Sequence, residues 1–215
     1  MDQKEQKDET TVTQFLDAVA GGSATPGGGS VSALAGCLGS ALVEMVVNLT
    51  LGKKGLEAHE AELKKILEEA NSHRQSLIAT IEKDITAYQE VMNAYLLPRA
   101  SEEEKKTRKE AIQKSMKKAA DPPLFTAVTS LKVLKLCQEV IAKGNPNAIS
   151  DAAVGALLAH AALYGGVFNV LVNLSALEDK HFVEKMKKEL RRLEDEGTRI
   201  KEQIMAKVGE KINSQ

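Results

Sequence analysis

The chain has 215 residues, 43% of them hydrophobic and 27% charged, with 29 Lys and Arg against 30 Asp and Glu. That composition supports a buried core rather than disorder. A net charge of -1 argues against nucleic acid, which needs a basic face; with 3% aromatics, a base-stacking platform is not expected either.

In chain order, residues 1–9 form a charged tail without an apolar signal core. A flexible tail and a cytoplasmic protein are therefore expected. Thr11 and Gln14 read as a capping box opening a short helix to about Ala20. A turn follows from Gly21 to Ser30, and a helix from about Val31 to Leu51, stopped by Gly52. A very long helix covers roughly Leu56 to Leu96 and ends at Pro98. Ser101 and Glu104 form another capping box, opening a helix that Asp121-Pro122-Pro123 interrupts. A restart over Leu124 to Lys143 follows, with Gly144 as its C′ residue. Asn145-Pro146-Asn147 is a turn, which either Ser150 or Asp151 is expected to follow as a helix cap. The last helices span about Asp151 to Leu174 and Glu178 to Ile212.

No alternating strand pattern occurs, and no linker divides the elements. One helical domain over residues 1–215 is expected, as an all-α multihelical bundle. Its central helices should be the two uncharged stretches, between Asp17 and Glu44 and from Ala152 through Leu177. The second is long enough to span a membrane. However, it is rich in Ala and Gly, holds His160 and Asn169, and lacks aromatic and basic flanks. Burial inside a bundle is the better reading, with no membrane partner. Small residues at helical spacing (Ser32, Gly36, Ser40; Gly155, Ala159; Ala162, Gly166) would let backbones approach closely. Along the last helix, Val183, Met186, Leu190, Leu193, Gly197, Ile200 and Ile204 form a stripe. It suits either a coiled-coil seam or packing on the chain's own core, and self-association through this or another helix is expected.

Cys37 and Cys137 are far apart and set in apolar sequence, and the four histidines show no ligand spacing. Reduced core cysteines and no metal are expected. His160 reads as a satisfied core histidine.

Four features carry chemistry. Pro26-Gly27-Gly28-Gly29-Ser30 frees backbone for a ligand's close approach, with Ser30 as a natural N-cap; it equally suits a plain connector. Asp84 falls on the apolar stripe Leu77, Ile81, Tyr88, Val91, Tyr95. A carboxylate there carries a desolvation cost and a raised pKa, suited to general acid/base work unless a structural partner absorbs it. Lys53-Lys54, and similarly Arg99, suit a clamp for a ligand carboxylate, or simply the dipole at a helix C-terminus. The fourth is Gly144-Asn145-Pro146-Asn147 leading to Ser150-Asp151, a helix cap by default or a second buried-end carboxylate near the glycine turn; Asn169 and Asn173 also need partners, most simply hydrogen bonds between helices.

Taken in order, these residues resemble the cyclodeaminase/cyclohydrolase family. The likeness rests on Ala24-Thr25-Pro26-Gly27-Gly28-Gly29-Ser30, Met45 to Thr50, Gly52-Lys53-Lys54, Asp84-x-x-x-Tyr88, Leu97-Pro98, Glu103-Glu104-Lys105, Gly144-Asn145, Ser150-Asp151 and Phe168 to Leu174. It covers nearly the whole chain. It implies an all-helical homodimer acting on a one-carbon tetrahydrofolate derivative, with no cofactor beyond that substrate. The catalytic aspartate would be Asp84. Substrate-binding residues would be Pro26 to Ser30, Lys53, Lys54, Tyr88, Arg99, Asn145 and Asp151. Methenyltetrahydrofolate cyclohydrolase is the activity expected, with formiminotetrahydrofolate cyclodeaminase as the alternative and a non-catalytic folate- or partner-binding subunit as a further one. Arg99 stands where relatives often have Lys, and Ala153-Val154 where a Gly often follows; the first departure keeps charge but not a deprotonated amine.

Overall fold

The computed structural model describes residues 10–213; the tail expected over residues 1–9 lies outside the described residues. Among the described residues there are seven α-helices: α1 (Val12–Ala20), α2 (Gly28–Asn48), α3 (Glu60–Tyr95), α4 (Glu102–Ala119), α5 (Asp121–Lys143), α6 (Ile149–Ser175) and α7 (Lys180–Asn213). Short 3-10 turns, Glu57–His59 and Pro146–Ala148, precede α3 and α6. There is no strand among the described residues, so the expected all-α bundle holds.

Helices α2 and α6 lie at the centre. α2 packs on α3, α5 and α6, and α6 also packs on α5 and α7. The reason is side-chain size. A Cβ placed on Gly39 would meet the Gly155 carbonyl at 2.8 Å, and one on Gly166 would meet the Pro123 carbonyl at 2.6 Å. Backbones approach there more closely than any larger residue allows. Polar side chains on α2 and just past it are satisfied within this packing: Ser40 donates to the Ala70 carbonyl at 2.7 Å, and Thr50, in the turn after α2, to the Val46 carbonyl at 2.6 Å.

Both central helices are long and apolar enough to cross a membrane by length and composition. Their inner faces instead supply much of one apolar cluster, with Val43, Val46 and Val47 from α2 and Ala152, Ala156, Ala159, Leu163, Val167 and Val170 from α6. Each also keeps an apolar edge in solvent: Val31, Leu38, Met45 and Leu49 on α2, and Val154, Leu157, Phe168 and Val172 on α6.

The stripe on α7 closes the chain's own core. Leu190, Leu193, Ile200 and Ile204 are buried, and Gly197 admits Leu163, whose Cδ1 would lie 2.7 Å from a Cβ there. Of the two uses expected for that stripe, packing at home is the one observed. Cys37 and Cys137 are reduced and buried as expected; burial pushes both thiols up to about 12. His160 departs from expectation. Its ring stacks 4.8 Å from Tyr164, but its buried Nε2 has no hydrogen-bond partner, and burial lowers its pKa so that it stays neutral.

Several boundaries also differ from the sequence reading. Both capping boxes form, at Thr11 and at Ser101. α2, however, begins three residues earlier than expected, so Ser30 is not its N-cap. Gly27 takes that place with extended backbone and no side-chain cap. Neither Ser150 nor Asp151 caps α6, because the turn Pro146–Ala148 runs straight into it. Asn145 caps that turn instead, its Oδ1 accepting from the Asn147 N–H at 3.0 Å. Gly144 is the C-cap of α5, but in extended rather than left-handed conformation. A side chain is excluded there because its Cβ would stand 2.5 Å from the Val140 carbonyl.

Candidate active site

The first turn of α2 meets the middle of α3. The Ser30 hydroxyl, fully buried, donates to Asp84 Oδ2 at 3.0 Å. The Asp84 carboxyl is pressed against Gly29: a Cβ at that glycine would lie 2.6 Å from Oδ2 and 2.7 Å from Cγ. Position 29 must therefore lack a side chain for Asp84 to stand where it does. Burial is the largest influence on Asp84 and raises its pKa above the usual carboxylate range; the Ser30 hydroxyl and backbone N–H oppose this and favour the anion. The positive end of the α2 dipole works in the same direction as Ser30. No cation pairs with Asp84 among the described residues, so the structural ion pair weighed from sequence is absent. The result is a half-buried carboxyl held by Ser30 and not neutralised by a cation, able to accept and return a proton.

Around it, Gly28 is exposed and Pro26 and Gly27 are half-buried. Tyr88 lies one turn beyond Asp84 on α3 and is exposed. Asn169 reaches the same turn of α2 from α6, with its Nδ2 3.4 Å from where a Gly28 Cβ would stand.

The remaining sequence-predicted residues gather elsewhere. Just past the other end of α2, Lys53 Nζ donates to Asn145 Oδ1 at 2.9 Å. Asn145 is in turn fixed by its Nδ2 on the Leu49 carbonyl at 3.1 Å and its N–H on Thr50 Oγ1 at 2.9 Å. Asp151 lies in the first turn of α6 at this same end and is half-buried. Lys54 is exposed beside Lys53. α2 has 21 residues, so its two ends stand about 30 Å apart at 1.5 Å per residue. Arg99 joins neither group directly. It is exposed beyond the end of α3 at Tyr95, on the Asp84 side, and Tyr95 itself lies about 16 Å from Asp84 along that helix axis.

A family model described as formiminotransferase-cyclodeaminase matches residues 11–192. This chain belongs to the formiminotransferase-cyclodeaminase family. It is 42% identical over 203 residues to the methenyltetrahydrofolate cyclohydrolase of Methylorubrum extorquens, a match covering 94% of this chain and 98% of that protein. It is 34% identical to the formimidoyltransferase-cyclodeaminase of Gallus gallus over 82% of this chain, but spans only 34% of that longer protein. Among solved structures, the formiminotetrahydrofolate cyclodeaminase of Thermotoga maritima is similar with a TM-score of 0.84 and 31% identity, over 94% of this chain and 97% of that one.

In this member of the formiminotransferase-cyclodeaminase family, the contacts of two residues named from sequence were not foreseen. Ser30 was expected to cap a helix and instead holds Asp84. Its sequence signal was its place within the glycine turn, which fits both uses. Thr50 anchors Asn145; the family motif and its polar character at the end of an apolar helix marked it, but not this bond. The bidentate pair of Arg74 with Glu44, at 2.6 and 3.1 Å, ties α3 to α2 midway between the two groups.

Proposed function

We propose that this protein is a methenyltetrahydrofolate cyclohydrolase. The observation that carries the choice is the near end-to-end 42% identity to a protein of that name. The chemistry fits what Asp84 offers. The bridge carbon of the methenyl form lies between two nitrogens and is already cationic, so a carboxylate can stabilise it without further activation. Water adds its oxygen to that carbon and passes a proton to Asp84. The carbon–N5 bond of the tetrahedral adduct then breaks, N5 takes a proton from Asp84, and the hydroxyl proton leaves as the formyl C=O forms. One water is consumed and one proton released overall, giving the 10-formyl product. Asp84 must start as the anion, so its raised pKa places the loss of activity on acidification above the usual carboxylate range. We infer no cofactor beyond the folate.

The match to a structure titled as a cyclodeaminase favours a second reading, in which N10 attacks a 5-formimino carbon and ammonia leaves. The methenyl form absorbs in the near ultraviolet. Hydrolysis makes that band decay, deamination makes it appear from the formimino substrate, and a non-catalytic binder leaves both unchanged.

We further infer a cytoplasmic homodimer, which the separation of the two residue groups supports. A monoglutamyl folate is too short to span the length of α2, so one ligand cannot touch both ends of one copy. A two-fold axis across the middle of α2 would set the Lys53 end of each copy beside the Asp84 end of the other, covering the exposed edges of α2 and α6. Lys53, held by Asn145, and Lys54 would then face the anionic glutamate portion, with Asp151 beside them. Pro26 to Ser30 and Tyr88 would line the ring, and Arg99 would meet a longer tail. Mixing two variants at substrate well below KM tests this: inactive Asp84→Asn and weakly binding Lys53→Ala copies, combined, should exceed the summed activity of the two measured apart, because hybrid dimers keep one intact site. No excess on mixing would defeat the shared site.

A further inference from the structure

Asn169 has a bonding pattern that its place in the fold does not require. Within a bundle, an asparagine on an apolar helix is expected to bridge to a neighbour, and Asn173 does so, donating to the Ala119 carbonyl on α4 at 2.8 Å. Asn169 instead turns its Nδ2 back onto its own helix, to the Gly165 carbonyl at 2.8 Å. That bond adds little to the helix, since the carbonyl already serves the backbone. It does fix the carboxamide, with Nδ2 and Oδ1 lying 3.4 and 3.8 Å from the position of a Gly28 Cβ. The neighbouring residue, Gly29, is the one that Asp84 approaches from α3. Two side chains from two helices thus flank consecutive glycines, whose Cα atoms are about 3.8 Å apart. Gly28 is exposed between them. As the first two residues of α2, Gly28 and Gly29 also have N–H groups without intrahelical acceptors. With one Nδ2 proton committed to Gly165, Asn169 still offers the acceptor Oδ1 and a second N–H.

We propose that Asn169 is the residue that orients the substrate ring at this turn, its Oδ1 accepting a hydrogen bond from an N–H of the fused heterocycle while Asp84 works from the other side of the same two glycines. The inference rests on the cyclohydrolase reading for the identity of that ring. A reduced pterin carries an amino group and ring N–H donors along one edge, and an anchored carboxamide oxygen discriminates for such donors because an unmatched acceptor would be left dry. Asn169 makes no contact with Asp84 and takes no proton, so it acts by positioning.

The test compares Asn169→Ala, Asn169→Asp and Gly28→Ala in the full chain. The readouts are KM and kcat for the methenyl substrate, equilibrium Kd for tetrahydrofolate, the pH profile and the melting temperature. Asn169→Ala should raise KM and Kd about tenfold with kcat within about threefold and an unchanged melting temperature. Asn169→Asp adds a second carboxylate at the turn and loses the donor to Gly165. It should weaken binding further and move the acid limb of kcat/KM to higher pH, because a like charge disfavours the Asp84 anion. Gly28→Ala puts a methyl in ordinary contact with Asn169, so the fold tolerates it while the gap facing the ligand narrows; Kd should rise. KM and Kd within twofold of wild type in both Asn169 variants would overturn the proposal, as would a fall in melting temperature with binding intact. Failure of the cyclohydrolase reading shows separately, as wild-type protein that does not consume the methenyl form, and the Kd comparison for Asn169 stands in that case too.

Discussion

The two ends of α2 are built on opposite principles. At its first turn a carboxyl is squeezed against glycine, buried enough to raise its pKa, and satisfied by a single side-chain bond from Ser30. At the far end Asn145 is bonded through Oδ1, Nδ2 and its N–H, and the cation it holds is exposed. The first arrangement leaves a reactive group under-satisfied. The second spends every bond on holding a charge still. The proposed cyclohydrolase reading calls for both, a proton carrier at the folate's bridge and a fixed cation at its anionic tail, and assigns the first to the Asp84 end and the second to the Lys53 end.

The sharpest way to break that comparison is at Asp84. Asp84→Asn keeps the shape and the bond from Ser30 and removes the base. Turnover should fall by at least about 10²-fold, while the melting temperature holds or rises. The sign follows from the raised pKa: an acid whose folded pKa lies above its unfolded value stabilises the fold while protonated, and that contribution is lost as pH rises through the folded pKa. At neutral pH the charged Asp84 is therefore a burden that Asn relieves. Near wild-type turnover in this variant would remove Asp84 from the chemistry.

Gly29→Ala comes next. Its methyl would overlap the Asp84 carboxyl, so either the carboxyl or the helix must shift. A displacement of this kind should reduce kcat about 10²-fold and destabilise by about 1–3 kcal/mol, read by the absorbance assay and by denaturant unfolding. At the other end effects should be smaller and differently distributed. Asn145→Ala leaves buried partners unmet and should cost about 1–3 kcal/mol of stability, with KM raised. Lys53→Ala should raise KM several-fold and weaken its salt dependence, with kcat intact; equal losses of kcat at both ends would erase the distinction drawn here. The smallest effect is in the pH profile, where kcat/KM should rise with pH through an acid limb above the ordinary carboxylate range.

Much of this was legible in the sequence, for stated reasons. The helices followed from periodicity and capping boxes, and Asp84 from a charge on an apolar stripe. What failed was local. Ser30 was read as a cap because Ser commonly is one, but α2 begins at Gly28, and that start depends on α3 and α6 reaching the turn from either side. Ser150 and Asp151 look like caps until the 3-10 turn removes the need for one. The separation of Lys53 from Asp84, at opposite ends of α2, was hidden because a motif string records order and not distance. Residues adjacent in the family pattern therefore looked like neighbours in one pocket.

The two thiols offer a clock for the central helix pair. Cys37 sits on α2 against the Arg74 carbonyl, and Cys137 on α5 lies 3.5 Å from where a Gly155 Cβ would stand. With both thiols pushed up to about 12, Cys137 fully buried and Cys37 nearly so, alkylation should be slow while the helices stay closed. Labelling in native buffer would then proceed only through opening events, so its rate times how often α2 lifts away from its neighbours. Bound folate, by holding the first turn of α2, should slow the modification of Cys37 more than that of Cys137.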